Sequence, residues 1–219
     1  MNITFLGYHT CHLEGSLNTI FKDSPYKSRE DVSQWLGYGY YFWTDSDYFA
    51  DKWGKRKSKY PRGYAITEYL IDIPKDLLLD LVGNVKDQLV FRDQILLYAE
   101  RMGLELKNKE DALKIPISKV LDHLRLQAQK DKNMFPFNAI KAMDYNSIDT
   151  LSYKFTDDCK QKEKIPIPSR QQLYLKDLSF LKRKSLIHVQ NFNANKYKPI
   201  MFDKGKFIFE YNSEGRIYE

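Results

Sequence analysis

Three short segments carry side chains suited to chemistry. Tyr8-His9-Thr10 holds a histidine, the side chain that gives or takes a proton near neutral pH and can donate or accept a hydrogen bond. Gly37-Tyr38-Gly39-Tyr40-Tyr41-Phe42 offers flat rings entered through two glycines, which permit close approach of another group. Arg170-Gln171-Gln172-Leu173-Tyr174 carries a neutral amide, Gln172, on one strand face with Arg170 and Tyr174. Lys52, Lys55, Arg56, Lys57, Lys59 and Arg62 form a basic run, and Lys182-Arg183-Lys184 a second one. Such clusters attract phosphate backbones, or serve as a solvated face.

The elements that must position these residues are legible in the periodicity. Ile3 to Thr10 reads as a strand with Ile3, Phe5, Gly7 and His9 on one face and His9 at its C-terminal end. A short helix is expected over Leu13 to Phe21, then a loop over Lys22 to Gln34. A strand follows Gly39, and Thr44-Asp45-Ser46-Asp47 caps a helix running through Trp53. Tyr64 to Ile73 is a second strand. Asn84 to Arg101 and Asp111 to Lys130 have helical spacing, separated at Gly103, and read as a helical insertion over residues 84–131. Phe137 to Tyr145 is predicted helical, Lys154 to Lys164 a charged loop, and Gln171 to Lys176 and Lys198 to Tyr211 strands.

The 219 residues suffice for one domain with a sizeable core. Aromatic residues at 15% suit a β-rich protein with ring-lined clefts. The net charge of +6 favours an anionic partner. Two cysteines, Cys11 and Cys159, read as reduced thiols of a cytoplasmic protein. The N-terminus has no basic region followed by a long apolar run, and no stretch reaches the ~20 apolar residues of a membrane helix. His9, Cys11 and His12 lack a fourth ligand nearby, so no metal is expected. Neither a phosphate-binding Gly-Lys loop nor a Gly-x-Gly-x-x-Gly turn occurs.

Taken together and in order, the three segments resemble the ADP-ribosyltransferases of the diphtheria-toxin and poly-ADP-ribose-polymerase type. Those enzymes have a His-Gly-Thr-like strand end, a Gly-x-Gly-x-Tyr-Phe strand followed by an Ala-bearing helix, and a late strand with Glu or a substitute. Ala50 and Trp53 extend the match to the middle element. The resemblance implies a single α+β domain over residues 1–219: two small, mainly antiparallel sheets around an NAD⁺ cleft, with the helical insertion. It implies transfer of one ADP-ribose from NAD⁺ to a macromolecular target, with nicotinamide released. It assigns His9, Tyr41 and Gln172 to catalysis. His9 would meet the adenosine-side ribose, backbone at Thr10 the carboxamide, and Gly39 the cofactor. Tyr41 would stack on nicotinamide, with Trp53 as second ring.

Gln172 stands where the family has its Glu, and Thr10 where it usually has Gly. The family's Arg and Glu-x-Glu branch is not matched. Similarity to bacterial toxin-like members of phage-defence toxin–antitoxin systems implies nucleic acid as target, RNA ahead of DNA, held by Lys55, Arg56, Lys57, Lys59 and Arg170, and an antitoxin or chaperone partner. A protein acceptor is the variant of this reading. Two others stand beside it: a metal-independent ribonuclease toxin with His9 and His12 as acid and base, and a non-enzymatic binding module.

Overall fold

A computed structural model describes residues 1–30, 34–104, 109–144, 150–156 and 164–192. The described elements run β1 (Asn2–His12), α1 (Leu17–Asp23), β2 (Tyr40–Thr44), α2 (Tyr48–Gly54), β3 (Gly63–Pro74), β4 (Leu78–Asp80), α3 (Val85–Arg101), α4 (Lys109–Ala112), α5 (Ile117–Lys130), β5 (Ala139–Asp144), β6 (Leu151–Lys154), β7 (Lys164–Ile167), β8 (Arg170–Leu175) and β9 (Leu181–Asn191). The chain is a mixed α+β protein with two sheets.

The sheets are not a matched pair. One has seven strands in the order β4-β5-β8-β2-β1-β3-β9; the other is the β6–β7 hairpin. Two small sheets were expected. Instead β8 pairs with β2 along Tyr40↔Leu175 to Trp43↔Gln172, and this joins the late strand to the early ones in one sheet. All its pairings are antiparallel except β4 with β5.

Local sequence explains most elements. Ser16 caps α1 by accepting the Thr19 N–H at 3.0 Å, and Asn84 caps α3 by accepting that of Lys86 at 3.1 Å. The long helix expected over Asp111 to Lys130 is two pieces. Pro116 lacks an N–H and caps α5, so α4 ends before it. The helix expected over Phe137 to Tyr145 is strand β5. Ala139, Ile140 and Ala142 are buried there, between β4 and β8, so tertiary pairing overrides a weak local preference. Strands β4, β6, β7 and β9 were not anticipated from the sequence. The strands expected within Lys198 to Tyr211, Cys159, and most of the Lys154 to Lys164 loop lie outside the described residues.

Helices α3 and α5 pack through Phe91, Val120, Leu121 and Leu124 against Leu36 and, on the sheet, Ile140 and Tyr174. A second cluster joins Tyr8, Trp43, Phe49, Ala50, Tyr60 and Tyr64 beneath α2. Simple alternation along β1 breaks at Gly7, Tyr8 and His9, all buried, because the strand is covered on both faces there.

Candidate functional site

A cleft opens inside the large sheet where two neighbouring strands part. Strands β1 and β2 pair only at Gly7↔Thr44 and Tyr8↔Trp43, whereas β1 stays paired with β3 through His12↔Tyr64. Beyond Tyr8 the His9 side chain spans the gap, its Nδ1 3.0 Å from the Tyr41 carbonyl. Because Leu6 directs its carbonyl to the β2 side, at Asp45, strand alternation turns the N–H and C=O of Thr10 into the gap. The Thr10 hydroxyl is anchored away from it, donating to the Ala50 carbonyl at 2.8 Å.

The resulting cavity of about 830 Å³ brings together His9, Thr10, Tyr41, Trp53, Lys59, Arg170 and Gln172. These come from distant parts of the chain, and all are site residues expected from the sequence. Gly39, Lys55, Arg56 and Lys57 are not among the lining residues. Gly39 works from behind the wall. Its N–H donates to Ser28 Oγ at 3.0 Å, its carbonyl accepts the Ser28 N–H at 2.7 Å, and a Cβ there would stand 2.4 Å from the Tyr174 ring.

One end of the cleft is a tied wall. The Tyr41 hydroxyl donates to the Gly37 carbonyl at 2.8 Å and accepts the Leu36 N–H at 3.2 Å, which closes residues 36–41 into a loop. Burial raises the Tyr41 phenol above its usual range, so it stays protonated and keeps donating. Arg125, from α5, donates to the Leu36 carbonyl at 2.6 Å and lies over the Tyr174 ring. Gly37 holds φ +97°, and a Cβ on it would meet the Arg125 guanidinium. The Trp35 indole donates to Gln172 Oε1 at 3.3 Å. Trp35 and Arg125 were missed in the sequence. Trp35 adjoins the glycine motif directly, but nothing local marks Arg125, 89 residues from its partner.

At the other end lie Trp53, Tyr60, His12 and Glu14. The basic run is held there by its own neighbours. Lys55 pairs with Asp51 one helical turn back, Arg56 and Lys59 lie 4.3 and 4.2 Å from the Trp53 ring centroid, and Lys57 lies 5.3 Å from that of Phe192. Burial opposes the Asp51 charge, but hydrogen bonds from Lys55 and Tyr64 outweigh it and hold the carboxyl below its usual range. Partial burial and then the Arg56 charge hold the Lys59 ammonium below its usual range.

Arg170 differs from the exposed phosphate-binding cation expected. It is buried, and it grips Asp144, its cross-strand partner, with Nε–Oδ1 at 2.7 Å and Nη2–Oδ2 at 3.1 Å. Its guanidinium also lies 5.3 Å from the Trp43 ring centroid. Glu68 is buried beside Tyr8 and does not line the cleft.

His9 is locked as the neutral ring. Nδ1–H faces the Tyr41 carbonyl, and Nε2 accepts the Tyr26 N–H at 3.1 Å. Burial lowers its pKa to about 4, and the positive Lys184 adds to the effect. Lys184 itself donates to the carbonyls of Lys22 and Ser24 at the end of α1, and burial brings it down to about 8. Cys11 directs Sγ to the Ala65 carbonyl, and burial pushes its thiol up to about 12, so it is not a nucleophile near neutral pH.

Comparison with family models, curated proteins and solved structures gave no match. Among the described residues no helix is long and apolar enough to cross a membrane.

Proposed function

We propose that this cleft binds NAD⁺ and that the protein transfers a single ADP-ribose to a macromolecular target, on an ADP-ribosyltransferase-like fold. One observation carries the reading: His9, Thr10, Tyr41, Trp53 and Gln172 line one cavity of about 830 Å³. That volume falls within the range of about 300–1,000 Å³ common for ligand pockets. In the reaction the bond from ribose C1′ to the nicotinamide nitrogen breaks. Nicotinamide leaves neutral with the bonding pair, a target oxygen or nitrogen bonds to C1′, and its proton passes to solvent.

Each lining group has work in this reading. The Thr10 backbone meets the carboxamide. Tyr41, whose ring is fixed by its hydroxyl, stacks on nicotinamide, and Trp53 supplies a ring at the far end. The tautomer set by the Tyr41 carbonyl leaves His9 Nε2 an acceptor, so a ribose hydroxyl can donate to it in place of the Tyr26 N–H. Gln172 carries no charge for chain elongation, hence one ADP-ribose per site. Lys55, Arg56, Lys57 and Lys59 face an RNA target beside the mouth, and Arg170 serves that side by fixing β8. An antitoxin or chaperone partner and a cytoplasmic setting belong to the same reading.

A ribonuclease built on His9 and His12 has less support. Its Nδ1 is held by the Tyr41 carbonyl, and its low pKa makes the ring a poor acid or base near pH 7. Incubation with labelled NAD⁺ and separate pools of RNA, DNA and protein tests the proposal. Label should enter RNA, one ADP-ribose per site by mass, and Tyr41→Ala should abolish it. Label in protein alone replaces the target. RNA cleavage without NAD⁺ overturns the reading, and NAD⁺ binding without transfer leaves a non-enzymatic module.

A further inference from the structure

An indole has one polar hydrogen and no acceptor. The Gln172 atom 3.3 Å from Trp35 Nε1 is therefore the carbonyl oxygen, and the usual ambiguity between the two ends of a side-chain amide is removed. The amide nitrogen has no partner among the described residues, and it is not among the buried unpaired atoms, so it borders the cleft. Its neighbours across the strands are Trp43 and Ala142.

Trp35 is itself held from behind. It packs against the cluster formed by the helical insertion, and the next residue, Leu36, is tied by Arg125 and the Tyr41 hydroxyl. We propose that Trp35 is a positioning residue that locks Gln172 with its oxygen turned away and its N–H groups turned into the cleft, so that this point selects a hydrogen-bond acceptor on the ligand. Resting on the NAD⁺ reading, the acceptor is a ribose hydroxyl oxygen. Gln172 then grips the sugar as a donor. It is not a weakened copy of a carboxylate, since it brings N–H donors that a carboxylate lacks while its oxygen is engaged by Trp35.

The lock is measurable before any ligand is added. In the ¹⁵N-labelled full chain, the Trp35 Nε1–H should exchange with solvent more slowly than a free indole. In Gln172→Met, which keeps length and loses the acceptor, that resonance should move upfield and exchange faster, while that of Trp53 stays. Trp35→Phe, which keeps a ring, should bring the Gln172 amide protons to the shift of a free side chain. Free-indole exchange in the unaltered protein overturns the proposal without any variant having to fold. An unmoved Trp35 resonance in folded Gln172→Met does the same.

With NAD⁺ as probe, the Gln172 amide protons should shift while Trp35 Nε1–H stays. Gln172→Met, which removes the N–H donors, should bind NAD⁺ roughly tenfold more weakly. Movement of the Trp35 signal without the Gln172 signal, or unchanged affinity in folded Gln172→Met, overturns the donor role. A spectrum that ignores NAD⁺ altogether, with the indole protected, upholds the lock and removes the NAD⁺ reading.

Discussion

At the Tyr41 end of the cleft, groups are tied to one another by hydrogen bonds: Tyr41 to Gly37 and Leu36, Arg125 to Leu36, Trp35 to Gln172. At the Trp53 end, exposed cations rest on rings, with Arg56 and Lys59 on Trp53 and Lys57 on Phe192. The first arrangement depends on geometry and is insensitive to salt. The second is electrostatic, screened within about 8 Å at physiological ionic strength, and its side chains can turn outward at little cost. Shape selection belongs to the one end and capture of a charged partner to the other.

The largest effect expected at the tied end comes from protons. Unfolded, His9 takes a proton near pH 6.5; folded, only near about 4. Its contribution is intact above pH 6.5 and is lost as pH falls through that interval, on the order of 3 kcal/mol in all. Urea midpoints measured from pH 7 to 4 should fall accordingly, and His9→Asn should flatten the profile. A flat profile in the unaltered protein would mean that the ring is not locked.

Next, Gly39→Ala should cost about 1–3 kcal/mol, because its Cβ would stand 2.5 Å from the rigid Leu175 carbonyl. Lys57→Ala at the other end should cost no more than about 0.5 kcal/mol. Equal losses in thermal melts would erase the contrast between the ends.

Reversing Lys55, Arg56 and Lys57 together should raise the KM for an RNA target roughly tenfold at low salt, leave that for NAD⁺ within about twofold, and flatten the salt dependence. If RNA is modified as before, these cations touch only their own neighbours. At the tied end the smallest effect is that of Tyr41→Phe. It keeps the ring and loses both hydroxyl contacts, costing about 1 kcal/mol, read as faster amide exchange at Leu36.

What was legible in the sequence was what local spacing encodes. β1, β2, β3, α3 and β8 followed from periodicity and caps, and the residues that meet in the cleft stood in three recognisable segments. What was not legible depends on distant partners. β5 is a strand because β4 and β8 flank it. Arg170 looks like an open cation until Asp144, 26 residues away, is found opposite it. Arg125 gains its role only when α5 docks behind Gly37. β9 hid behind Lys182-Arg183-Lys184, three consecutive cations that mask the period-two pattern at its start.

The narrow junction of β1 with β2 also has a mechanical side. The sheet divides into β4-β5-β8-β2 and β1-β3-β9, and only the rungs at Gly7 and Tyr8 stitch one part to the other. Beyond them the ladder is unzipped, and any guest that pairs with the Thr10 backbone stands in for the missing rungs. Gly7 sits at the crotch of this fork, pressed so closely by Ile71 and Phe42 that a single methyl group would act as a wedge. A filled seam therefore behaves as a zip drawn shut, and pulling the two parts of the sheet against each other loads a stitch two residues wide.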